Sequence, residues 1–135
     1  MKILGIDYGQ SKMGVAVGDT ATGLAEPIKV FQISNFKIQI LKIIFNDPMI
    51  KKIVVGLPHG KMDVEIKEFG VGLEKQTGVE VEFFDETLTT QDAQRLLITS
   101  GRKRKSRKEK EDAVAAAIML EYFIIVGRRS RHRRG

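Results

Sequence analysis

The sequence predicts an α/β protein built on a mixed, mainly parallel five-stranded sheet with helices on both faces. Three observations carry this. From residue 35 onward, segments of helical spacing alternate with short apolar strands, as βα units do. The run KKIVVGLP, 51–58, is continuously apolar after its lysines, as suits a parallel strand covered on both faces. Ahead of these units, KILGIDY and KMGVAVGD are separated only by the turn GQS, which predicts an antiparallel hairpin.

In order, 2–8 and 12–19 read as the two strands of that hairpin. PIKVFQI, 27–33, reads as a third strand with Pro27 at its first position, where the missing N–H costs least. In 35–47, Phe36, Ile40, Ile43 and Ile44 recur near helical spacing, with Asn35 as the expected cap and Pro48 as the limit. After the strand at 51–58, residues 63–78 read as a helix ending at Gly78, although Gly70 and Gly72 weaken its propensity. VEVEFFDE, 79–86, is the fifth strand. Thr89 then caps a helix over TQDAQRLLIT, with Asp92 completing a weak capping box. SGRKRKSRKEK, 100–110, lacks any apolar residue and reads as a flexible basic loop. EDAVAAAIMLEYFIIV, 111–126, is an alanine-rich helix, and the arginine-rich end reads as a disordered tail. The organisation expected is one domain over residues 1–127 with a mobile loop at about 100–110, then a basic tail over 128–135.

The chain of 135 residues is long enough to bury an ordinary core. It has no cysteine, which excludes disulfides and thiolate metal sites and fits a cytoplasmic protein. The apolar start is cut short by Asp7, and the run AVAAAIML stops at Glu121, so neither an export signal nor a membrane span is expected. The net charge of +6 is unevenly spread. Residues 1–101 hold 11 Lys/Arg against 13 Asp/Glu, and residues 102–135 hold 12 against 4. Two basic runs, RKRKSRK and RRSRHRR, suit a polyanion such as nucleic acid, although each alone also reads as solvated charge.

Three acids stand out. Asp7 lies within the apolar run ILGID, where an ionised carboxylate is costly unless it is paired or holds a metal. Glu86 ends a strand, and its neighbour Asp85 points to the opposite face, so spacing does not say which of the two enters a site. Asp112 opens the last helix, where an acid alone reads as compensation of the helix dipole. Ligands of open α/β sheets gather beyond the carboxyl ends of parallel strands, where Asp7 and Glu86 both fall. Oxygen donors with no Cys or His beside them suit a hard cation, Mg²⁺ or Mn²⁺. His59, after GLP, reads as a loop histidine rather than a substrate contact. His132 reads as solvated, and Phe83 and Phe84 as core.

GIDYGQSKMGVAVGD, VVGLP, DETLTT and EDAVAAAIML occur in the order and rough spacing of the YqgF family, which the chain resembles from about residue 2 to residue 125. That family is associated with pre-16S rRNA processing and with Holliday junction resolution. The resemblance implies a ribonuclease H-like fold with an antiparallel second strand. It implies catalytic and metal-binding roles for Asp7, Glu86 and Asp112, and a phosphate contact for Lys12. Arg102, Lys103, Arg104 and Lys105 correspond to the mobile basic segment before the last helix. Two positions depart from the family pattern: Thr87 where an Arg often follows the acidic pair, and Glu111 where an apolar residue often precedes the last Asp.

The function expected is therefore Mg²⁺- or Mn²⁺-dependent hydrolysis of phosphodiester bonds in structured RNA, for ribosome biogenesis, or in branched DNA. The protein is expected to act as a monomer or weak homodimer, away from membranes. Two rivals remain at the level of sequence. A non-catalytic RNA-binding factor would use the basic segments alone. An ATP-binding domain of the actin, heat-shock chaperone and sugar-kinase type opens with a similar first motif, but needs two such domains.

Overall fold

In the computed structural model, residues 1–86 and 111–134 are described, with side chains over 1–86 and 112–127. The elements are β1 (Lys2–Tyr8), β2 (Lys12–Asp19), β3 (Leu24–Gln32), α1 (Phe36–Asn46), β4 (Ile50–Leu57), α2 (Asp63–Thr77), β5 (Glu80–Asp85) and α3 (Glu111–Arg134). The expected helix over TQDAQRLLIT, the basic loop with Arg102 to Lys105, and Thr87 lie outside the described residues.

The strands form one sheet in the order β3-β2-β1-β4-β5. β2 is antiparallel to both β1 and β3, while β1, β4 and β5 run parallel. Alternation along the strands sorts their side chains onto two faces. Leu4, Ile6, Met13, Val15, Ile53 and Val55 join Phe36, Ile40 and Ile44 of α1 and Ile66 and Leu73 of α2 in one core. Ile3, Ala16 and Val54 pack on the other face against Ala116, Ala117, Met119 and Leu120 of α3. Small residues on both sides let α3 approach the second face closely: an added methyl at Gly5 would overlap Leu120.

Three details differ from the sequence reading. β3 begins at Leu24, which places Pro27 inside the strand. The sheet tolerates it because β3 is an edge strand, and its register with β2 shifts between Val15 and Ala16, where Pro27 sits opposite Ala16. Asn35 precedes α1 but makes no side-chain capping bond; a short 3₁₀ turn over Ile33–Asn35 leads into the helix instead. α3 runs on to Arg134, through the segment expected to be disordered. Arginine is a good helix former and no proline interrupts the run, so only Gly127 opposes continuation. Gly78 ends α2 as expected, at φ 70°, with its N–H donating to the Glu74 carbonyl at 2.9 Å.

Candidate active site

The second face of the sheet carries more than apolar side chains at one end. In β1, Ile3, Gly5 and Asp7 share that face, so Asp7 follows the residues that α3 covers. Asp7 sits opposite Gly14 of β2. A side chain at Gly14 would overlap the backbone of Asp112, so the start of α3 lies directly on this position. On the other side, a side chain at Gly56 of β4 would overlap the carboxyl group of Glu86. Glu86 follows β5 immediately, two residues after Phe84, which packs on the α3 face. Thus a strand, a strand end and a helix start bring Asp7, Glu86 and Asp112 to the carboxyl end of the parallel strands.

The electrostatics follow from this convergence. Burial pushes the Asp7 carboxyl above its ordinary range; a hydrogen bond with Glu86 opposes the rise, and the charge of Asp112 adds to it. Glu86 is raised from an ordinary 4.5 to about 9, first by burial, then by its hydrogen bond and charge interaction with Asp7, with smaller contributions from Asp63 and Asp85. An ionised carboxylate only accepts hydrogen bonds, so the pair must hold a proton between its oxygens. Asp7 and Glu86 are joined by this bond, and burial raises both.

Around this pair lies a second ring of acids. Asp85 turns away from Asp7, and its Oδ2 lies 3.0 Å from His59 Nε2. His59 Nδ1 is 3.7 Å from Asp63 Oδ2. His59 has φ 60°, the left-handed conformation at the turn after β4. It lies in the loop after β4, and it ties that turn to the end of β5. Lys12 is exposed at the start of β2, two residues before Gly14, and so at the same end as Asp7.

Spacing alone left Glu86 and Asp85 indistinguishable; the structure sends Glu86 to Asp7 and Asp85 to His59. Gly14 and Gly56 were not singled out from sequence. Their signal was a glycine inside a strand, a mark of close approach by another group. Among the described residues, no three His, Asp or Glu side chains are already gathered as metal ligands. The donor set nonetheless has the chemistry of a hard divalent cation site: three carboxylates converging with no nitrogen or sulfur donor.

The profile of the RuvX family, described as Holliday junction resolvase, matches residues 1–125. The chain belongs to the RuvX family. This is the family that its YqgF-like motifs indicate. Among RuvX relatives, a protein of Lactococcus lactis named "Putative pre-16S rRNA nuclease" is 32% identical over 133 residues, 91% of this chain and 93% of its own. One of the same name from Clostridioides difficile is 34% identical over 131 residues, with the same shares covered. Among solved structures, the chain is similar to fowlpox virus resolvase bound to Holliday junction DNA, at TM-score 0.63 and 13% identity, covering 93% of this chain and 98% of that one. It is also similar to Thermus thermophilus RuvC with a Holliday junction substrate, at TM-score 0.54 and 15% identity, covering 93% and 94%. These similarities bear out the expected ribonuclease H-like arrangement, antiparallel second strand included.

Proposed function

We propose that this chain is a nuclease that hydrolyses phosphodiester bonds in structured nucleic acid, with Asp7, Glu86 and Asp112 as its catalytic residues and precursor 16S ribosomal RNA as its substrate. The reading rests on the buried Asp7–Glu86 pair beside the Asp112 charge, at the end of the sheet where α/β proteins bind ligands. It is supported by membership of a family described as resolvase and by relatives named for pre-16S rRNA. The same reading places the protein in the cytoplasm.

Asp7, Glu86 and Asp112 would hold Mg²⁺ or Mn²⁺. Bound there, such an ion supplies a water nucleophile at neutral pH and neutralises charge on the phosphodiester. The protein's own residues set the stage. To act as ligands, Asp7 and Glu86 would both have to be ionised, so their oxygens would carry the negative charge that such an ion takes. Gly14 and Gly56 keep the strands bare enough for Asp112 and Glu86 to come close. Asp63 and Asp85 add negative charge around Glu86, and His59 holds both in place. Lys12 stands at the same end, exposed, to meet the phosphate backbone. Arg102, Lys103, Arg104 and Lys105 would attract the substrate through counterion release, a contact that positions without reading bases.

A second reading, resolution of four-way DNA junctions, is favoured by the family description. The test sets both substrates against wild-type protein and Asp7→Asn, with Mg²⁺ and with EDTA. We expect the RNA to be cut by wild type with Mg²⁺, and Asp7→Asn to lose more than the roughly 10–100-fold that outer partners of a metal site cost. Junction cleavage without RNA cleavage would favour the second reading. Equal cleavage by wild type and Asp7→Asn would remove Asp7 from the site, and tight RNA binding without cleavage would leave a binding factor.

A further inference from the structure

We infer that the end of α3 is a helical arm that binds the nucleic-acid backbone far from the cleavage site, on the flank of the substrate. Several observations carry this. α3 starts at the carboxylates, with Asp112 against Gly14. Further along, Leu120 packs over Gly5 and Gly18, and Glu121 accepts a hydrogen bond from the Ala25 N–H at 3.0 Å, at the start of β3. The helix therefore runs from the carboxyl end of β1 towards its amino end. Among the described side chains of the helix, Ile124 is the last buried one; Ile125 and Val126 are 42% and 45% exposed. The helix nevertheless continues for eight residues more, to Arg134. The match to the family also ends at residue 125. Among the described side chains, burial thus stops where the family match ends, and the arm is the helix beyond that point.

The composition of the arm identifies its partner. Residues 127–135 hold five arginines and a histidine and no apolar residue. A helix polar all round has no stripe to bury in a protein core, and no apolar face to insert into a lipid surface. Compensation of the helix dipole accounts for one or two cations in the last turn, not five arginines over two turns. Closely spaced arginines suit a row of phosphates, which they contact through paired N–H groups.

The position of the arm adds a length rule. From Asp112 to Arg131 the helix rises roughly 30 Å at about 1.5 Å per residue. A duplex with its scissile phosphate at the carboxylates would reach the arm after roughly nine base pairs at the DNA rise of about 3.4 Å, and a few more in the shorter-rise A-form of RNA. The length rule rests on the nuclease reading for the position of that phosphate; binding by the arm does not.

The test measures binding in EDTA, where no cleavage is needed, to RNA hairpins with stems of about 6 and about 20 base pairs, a span set by the estimate above. Wild type is compared with a variant carrying Arg128→Gln, Arg129→Gln, Arg131→Gln, Arg133→Gln and Arg134→Gln, and with a chain ending at Val126. We expect both variants to bind the long stem at least ~10-fold more weakly, with a log K against log salt slope shallower by about three, and the short stem nearly as wild type does. Unchanged affinity and slope on the long stem would overturn the proposal. So would equal losses on both stems, or binding to vesicles of anionic phospholipid in preference to RNA. Cleavage is read separately with Mg²⁺. A wild type that cuts nothing, yet shows the expected length-dependent binding, would sink the nuclease reading and leave the arm standing.

Discussion

At the scale of single residues, the chemistry of Asp7 turns on one proton. Burial raises both Asp7 and Glu86, and Glu86 keeps its proton to about pH 9 against an ordinary 4.5. A folded pKa above the unfolded one means that the stabilisation is complete below the unfolded value and is lost as pH rises through the folded one. Without divalent cation, the urea midpoint should therefore fall between about pH 5 and pH 9, and Glu86→Gln should flatten that fall because its amide does not titrate. A wild-type midpoint that rises across this range would contradict the assignment. Asp85, one residue away, has the same charge and a different fate: it meets His59 rather than Asp7.

At the scale of elements, the site depends on how closely α3 and the end of β5 approach the sheet. Gly14 and Gly56 make that approach possible, so Gly14→Ala must displace the Asp112 backbone. The expected cost is about 1–3 kcal/mol of stability, as for overpacking, together with a loss of cleavage. Gly72, in the middle of α2, has nothing within 4 Å of an added methyl. Gly72→Ala should stabilise the protein by about 0.5–1 kcal/mol and leave cleavage unchanged. Chemical denaturation and cleavage assays on the two variants check the contrast. If both behave alike, the close approach of α3 at Gly14 is not what holds Asp112 in place.

At the scale of the whole molecule, charge is uneven. Asp7, Glu86 and Asp112 meet at the carboxyl end of the parallel strands, while the positive excess along the chain lies in residues 102–135. Replacing Arg102, Lys103, Arg104 and Lys105 by Gln should weaken RNA binding and make its salt slope shallower by up to about three, on short and long stems alike. An unchanged slope would mean that these four residues do not touch the substrate.

Periodicity and turn chemistry were enough to read the order of strands and helices over the described residues, because β1, β2, β4 and α2 each carry a local pattern that agrees with their packing. A carboxylate inside ILGID was also legible as an anomaly, since burying it needs a reason. Local pattern failed where distant neighbours decide. Pro27 lies within β3 because that strand falls at an edge. Spacing likewise left Glu86 and Asp85 alike and Asp112 distant, and only the family resemblance implied their roles; the tertiary structure shows which side chains meet. Those meetings depend on which side chains face each other across strands and a helix that are far apart in sequence, and spacing along the chain holds no record of that.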